Sequence, residues 1–163
     1  SSQLTFAKCC EPYISNNALP NSAEALMRSR FSAYATNNFQ YIADTYATAE
    51  QSAILLNNTP KTLGASAEEI KRSSENTKWC KLEIKNTSEN TNSGIVEFIA
   101  YYQTNYQFYT MHERSRFIKV ENKWLYVDGE MLGNNGAVKL GRNEDCLCGS
   151  GKKFKRCCQG ASI

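Results

Sequence analysis

The feature that most constrains this chain sits near its end. Residues 146–158 read Cys146-Leu147-Cys148-Gly149-Ser150-Gly151-Lys152-Lys153-Phe154-Lys155-Arg156-Cys157-Cys158, which packs four of the seven cysteines into C-x-C, eight residues, then C-C. A segment this short has no apolar core of its own and needs a staple. Four thiols at this spacing suit Zn²⁺ in a closed tetrahedral knuckle, with sulfur roughly 2.3 Å from the metal. Gly149 and Gly151 let the backbone turn sharply, because glycine accepts positive φ at no steric cost. Ser150 is placed to cap a short helix running to Cys158. On that helix Phe154 precedes Cys157 and Cys158 by three and four positions, so its ring is expected to lean over the site and shield it. Disulfides are the competing account, but adjacent and C-x-C cysteines are strained against preferred disulfide geometry. No secretory signal is legible in the chain, and thiols at metal spacing without signs of secretion read as ligands.

With Gly141-Arg142-Asn143-Glu144-Asp145 ahead of it, this stretch resembles the SEC-C motif, the zinc-binding tail of the SecA translocase ATPase and of many other bacterial proteins. The resemblance implies zinc ligation by Cys146, Cys148, Cys157 and Cys158. Leu147 stands where the motif usually has proline, a change that touches no ligand. Protein or ribosome-associated partners are also implied. The other end repeats the pattern: Ser2, Phe6, Lys8 and Cys9-Cys10 align with Ser150, Phe154, Arg156 and Cys157-Cys158. Cys9 and Cys10 therefore read as the second half of another knuckle whose first half has been truncated. Completion by a partner chain and a vestige with free thiols are the alternatives, since two ligands do not close a zinc site.

A length of 163 residues suits one domain of ordinary size with a small appendage. The expected division is 1–20 for the half-knuckle and linker, 21–132 for the domain, and 133–163 for a second linker and the knuckle. Hydrophobic residues at 41% suffice for a core. No run approaches the ~18 apolar residues of a membrane span, and the expectation is a soluble, cytoplasmic protein without membrane insertion. The net charge of +3 is uneven. Lys139, Arg142, Lys152, Lys153, Lys155 and Arg156 face only Glu144 and Asp145 over residues 139–158, which leaves the remainder close to neutral. Two accounts of this basic tail stay open. The cations offset the negative charge of four thiolates on Zn²⁺, or they form a patch for acidic or phosphate-bearing partners, nucleic acid included.

Upstream, residues 11–20 read as a linker broken by Pro12, Asn16, Asn17 and Pro20. Asn21-Ser22-Ala23-Glu24 opens a helix with a capping-box-like pattern, on which Met27, Phe31 and Tyr34 form the expected buried stripe. Asn37 and Asn38 stop it. Phe39, Ile42 and Tyr46 repeat the helical period over 39–46. Residues 47–77 are polar, with only 63–73 suggesting a helix that turns Ile70 inward. The period then becomes two: Cys80, Leu82 and Ile84 alternate with charged residues. A turn is expected over 86–94, with further strands over 95–103, 106–120 and 123–128 and a tight connection at Glu121-Asn122. Helices followed by an antiparallel meander make an α+β domain with helices on one face of a curved sheet. The runs 25–34, 113–117 and 124–129 are similar to the YchJ family of bacterial proteins, across essentially the whole chain. That resemblance implies SEC-C motifs at both ends and a nuclear transport factor 2-like cone between them, but lends no established activity.

A cone of this kind often keeps a pocket between helices and sheet. Polar candidates for it are Arg28, Arg30, His112, Glu113, Arg114, Arg116 and Asp128, with Tyr34, Trp79, Tyr101, Trp124 and Tyr126 as walls. Strand alternation puts His112, Arg114 and Arg116 on one face and Glu113, Ser115 and Phe117 on the other. If the second face is inward, Glu113 needs a partner, and Arg28 or Arg30 is expected to supply it. The plainer account is a structural ion-pair network. His112 is the single histidine, and no serine or cysteine can be set beside it, so it reads as a satisfied strand residue. Cys80 reads as a small core residue. No phosphate-binding Gly-rich loop is present. Two functions follow: a non-enzymatic zinc-binding module presenting a basic surface, or an enzyme or small-molecule binder using the cone, with zinc purely structural.

Overall fold

The computed structural model describes residues 5–56 and 64–159. Its frame is a meander of four antiparallel strands in sequential order. These are β1 (Lys78–Glu89), β2 (Ser93–Thr104), β3 (Gln107–Val120) and β4 (Lys123–Met131). Two connections are two-residue hairpins with both residues at positive φ, Asn105 and Tyr106 at 48° and 63° and Glu121 and Asn122 at 46° and 67°. That is the geometry whose twist matches the flanking strands. The turn expected over 86–94 is much shorter, since Asn86, Thr87, Ser88 and Glu89 remain paired with β2 as far as Gly94. Their side chains are exposed and polar, but ladder hydrogen bonds need only backbone. Register shifts at Trp79/Lys81, Ile84/Asn86 and Arg116/Phe117 bend the sheet. Cys80 falls in the first shift, with Sγ 3.2 Å from the Lys78 carbonyl, so it is half-buried in a bulge rather than part of the core.

Helices cover the inner face. Ser22 caps α3 (Ala23–Ala35) by accepting from Ala25 N, while Glu24 turns to Arg28 instead of closing a box. Asn37 takes φ 59° and Asn38 N donates back to the Ala33 carbonyl, a Schellman stop. The buried stripe of α3 is Ala23, Leu26, Met27, Arg30 and Ala33. Phe31 and Tyr34, expected in that stripe, only lean on the core from its edge. Two short helices, α1 (Phe6–Cys9) and α2 (Glu11–Ile14), precede α3. Pro12 occupies the first turn of α2, where its missing N–H costs nothing, so it starts a helix in what reads as linker. Then come α4 (Phe39–Asp44), α5 (Ala49–Leu56) and α6 (Ala67–Ser73). Helix α5 falls in the supposedly featureless stretch. Its signal was Thr48-x-x-Gln51, where each side chain bonds the other's backbone N–H. Ser66 and Glu69 form the same box for α6, and Ile70 is buried as expected. The earlier start expected for that helix, at Leu63, lies outside the described residues.

The core packs Leu26, Ile42, Val96, Phe98 and Phe117 between the layers. At Gly94 a methyl group would stand 2.7 Å from the Ala23 side chain, so glycine sets how closely α3 approaches β2. Past β4 the chain doubles back and adds a two-residue strand, β5 (Gly136–Ala137), to β3 at Tyr109 and Thr110.

Candidate functional site

Beyond β5 the tail stays stitched to the sheet: Val138 N donates to the Phe108 carbonyl at 2.8 Å and Gln107 Nε2 to the Val138 carbonyl at 3.0 Å. The knuckle then closes on itself. Cys146 N donates to Lys152 O at 2.9 Å, Phe154 N to Glu144 O at 2.8 Å, and Lys153 Nζ pairs with Asp145 at 2.8 Å. Gly149 and Gly151 adopt φ of 81° and 71°, as the turn demands. The result brings Sγ of Cys146, Cys148, Cys157 and Cys158 within 4.8 Å of one another. Cys148 and Cys157 lie 3.4 Å apart, and Cys157 and Cys158 3.9 Å apart. A tetrahedron with metal–sulfur bonds of about 2.3 Å has edges of about 3.8 Å, so the donor set fits a thiophilic metal ion. Burial opposes ionisation of Cys148, but hydrogen bonds from Ser150 and from Cys146 and Cys157 outweigh it and bring this thiol down to about 6.

Two supporting residues make contacts that the sequence did not announce. Ser150 caps no helix; its Oγ lies 3.1 Å from Cys157 Sγ, and the expected helix is a single 3₁₀ turn, Phe154–Arg156, with no side-chain cap. Phe154 meets Phe108 edge-on at 6.2 Å, which docks the knuckle on β3. Cys9, the last residue of α1, and Cys10, which joins α1 to α2, stand apart from this group with sulfurs 3.1 Å from each other. Among the described residues, the C-terminal group is the one set of three or more metal-binding side chains. Cys10 is buried against α3, and that burial pushes its thiol up to about 11.

A cavity of about 280 Å³ lies between α3 and the sheet. Of the residues expected to build a pocket, Arg30, Tyr34 and Glu113 line it, with Trp79 and Tyr126 as walls; Tyr46 and Met111 join them unforeseen. The others lie elsewhere. Arg28 pairs with Glu24, Arg114 shares Glu97 with His112, and Arg116 makes a two-pronged contact with Asp128 at 2.7 Å. Trp124 is core, and Tyr101 lies under Lys81. His112, 3.0 Å from Glu97, is the satisfied strand residue the sequence suggested.

Glu113 is inward, but its expected ion pair with Arg28 or Arg30 does not form. Oε1 accepts from Ser115 Oγ at 2.5 Å and Tyr126 OH at 3.2 Å. Arg30 is drawn to the end of α4, whose last carbonyls need donors. Its Nη1 donates to Ile42 O at 2.8 Å and Thr45 Oγ1 at 2.6 Å, while the guanidinium lies 4.5 and 4.6 Å from the ring centres of Tyr46 and Tyr126. Burial, then the neighbouring Tyr46 phenol, push Tyr34 up to about 12; burial and Glu113 raise Tyr126 further, so both phenols stay protonated donors. Glu113 can lie flat over β4 because residue 129 is glycine; a methyl group there would overlap the carboxylate.

Residues 22–129 match the family described as the YchJ middle NTF2-like domain, and residues 142–160 match the SEC-C motif. A UPF0225 protein of Vibrio vulnificus is 38% identical, covering 96% of this chain and 95% of its own. One from Photorhabdus laumondii is 36% identical over 96% and 94%. Among solved structures, a SEC-C motif containing protein from Rhodopseudomonas palustris has a TM-score of 0.69 at 29% identity, covering 81% of this chain and 95% of that one. Another, from Psychrobacter arcticus, has 0.63 at 29% identity, covering 100% and 89%. This chain therefore belongs to the YchJ (UPF0225) family, with a nuclear transport factor 2-like α+β domain followed by a SEC-C motif whose four cysteines are grouped to bind a metal.

Proposed function

We propose that this chain is a non-enzymatic zinc-binding protein whose knuckle presents cations to an acidic macromolecular partner, a protein or a ribosomal surface. The observation that carries the reading is the arrangement of charge around the sulfurs. Arg142, Lys152, Lys155 and Arg156 are all exposed, and none makes an ion pair among the described residues, whereas Lys153 is held by Asp145. Four thiolates on Zn²⁺ carry a net negative charge that nearby cations offset. Side chains needed only for that purpose would fold inward onto the site, and these point to solvent. Zinc suits a closed four-thiolate set in a segment that folds only when the metal is bound. The metal thus shapes the surface and the cations make the contact.

The test is a pulldown from cell extract with three forms: the intact chain, one lacking residues 141–163, and an intact chain with Arg142, Lys152, Lys155 and Arg156 changed to glutamine. The reading predicts a partner set held by the first form and lost by the other two, with metal retained in the glutamine variant. Partners unaffected by the glutamine variant would overturn it.

A further inference from the structure

The cone cavity contains buried charges whose hydrogen-bonding capacity is only half used. Glu113 and Arg30 are 8% and 4% exposed. Glu113 commits Oε1 to Ser115 and Tyr126, and Oε2 makes no hydrogen bond among the described residues. Arg30 commits Nη1 to the end of α4, and Nε and Nη2 make none among the described residues. None of these three atoms is sealed from solvent, since among the described residues the fully buried side-chain atoms without a partner are Trp79 Nε1 and Trp124 Nε1, so water or a ligand can reach the free positions of Glu113 and Arg30. Both residues line the same cavity, so the unspent acceptor and the unspent donors border one space.

The walls bear on what fills that space. Tyr34 and Trp79 are 5.3 Å apart between ring centres, and Tyr46 and Tyr126 meet edge-on at the same separation. A volume of 280 Å³ equals about nine waters at ~30 Å³ each, but aromatic faces offer such waters few partners. It is also just below the usual range for small-molecule pockets, roughly 300–1,000 Å³, which suits one substituted ring. The two charges are opposite in sign, so a ligand with net charge would bring an ion into the interior without a full counter-charge.

We propose that this cavity binds an uncharged, flat aromatic molecule of one ring, carrying a hydrogen-bond donor beside an acceptor as a carboxamide does. The ligand N–H meets Glu113 Oε2, its carbonyl meets Arg30, and its ring lies among Tyr34, Tyr46, Trp79 and Tyr126. This site is independent of the knuckle's partner and stands or falls separately from it.

The probe set is benzamide, benzoate, benzylamine and toluene, matched in size but differing in charge and hydrogen bonding. Each is titrated into the full-length, metal-loaded chain while the Trp79 indole N–H signal is followed by nuclear magnetic resonance. Benzamide is expected to saturate with Kd about 1 mM, reasonable for nine heavy atoms, and the other three to bind at least tenfold more weakly. Glu113→Gln should weaken benzamide at least fivefold. Met111→Trp, which fills the cavity from a half-buried strand position, should abolish binding while leaving the fold intact, and it decides the matter should the glutamine variant prove unstable. No response to benzamide below 20 mM, equal or tighter binding of a charged probe, or unchanged affinity in Met111→Trp would each overturn the proposal.

Discussion

Gly129→Ala tests how the sheet holds its buried carboxylate. The new methyl group would stand 2.8 Å from Glu113 Cγ and closer still to the carboxyl group, so one of them must move. Residue 129 has no positive φ, and strain from the backbone itself is absent. β4 is fixed by its pairing with β3, where Gly129 faces Ser115. The side chain of Glu113 therefore yields, losing its bonds to Ser115 Oγ and Tyr126 OH. Overpacking of this kind costs ~1–3 kcal/mol and each lost hydrogen bond ~1 kcal/mol. The smaller entropy of the unfolded alanine chain returns about 0.5 kcal/mol. The net is about 3 kcal/mol, a fall in Tm of roughly 6–12 °C for a chain of this length. Thermal unfolding of the metal-loaded protein measures it. The reasoning also demands non-additivity, because the clash has a single cause. In a Glu113→Ala background, Gly129→Ala should cost almost nothing. A Tm within 2 °C of the parent, or costs that simply add in the double variant, would refute it.

Phe154→Ala should leave metal content unchanged but speed hydrogen exchange across residues 142–159, since the edge-on pair with Phe108 contributes ~0.5–1.5 kcal/mol beyond burial. Arg30→Met should lower Tm by several degrees, because two hydrogen bonds from a charged donor, to the Ile42 carbonyl and to Thr45 Oγ1, are lost at ~1.5–3 kcal/mol for a bond of that kind, although Thr45 N and Oγ1 still serve the Ile42 carbonyl. The Glu97 carboxyl is held below its ordinary 4.5 by hydrogen bonds from His112 and then Arg114. Its contribution is complete above that value and lost as pH falls through the depressed one, so Glu97→Gln should lower the neutral plateau of a stability–pH curve and flatten its acid limb below about pH 4.5.

Much of this architecture is legible in the chain because its local signals agree with one another. The alternation along β3 put Glu113, Ser115 and Phe117 on one face, which the structure buries, and Asn pairs marked the stop of α3. The clustering of Cys146, Cys148, Cys157 and Cys158 followed from glycine turns at fixed spacing. What escaped depended on tertiary competition. Arg30 could reach either Glu113 or the end of α4, and nothing in its neighbours in sequence says that the carbonyls of α4 win. The docking of Phe154 on Phe108 rests on how β5 lays the tail along β3. Arg116 and Asp128 looked like pocket residues until the pairing of β3 with β4 set them opposite each other outside the cavity. Helix α5 was missed for a different reason: its box at Thr48 and Gln51 was in plain view but lay within a polar stretch.

The account depends on a metal held by sulfur giving the tail its shape. X-ray absorption at the zinc edge, with elemental analysis of chelator-free protein, tests this most directly. Four sulfur neighbours at about 2.3 Å, near one zinc per chain, and loss of that zinc in Cys146→Ser are the expected results. Nitrogen or oxygen in the first coordination sphere, or full zinc retention in Cys146→Ser, would contradict it.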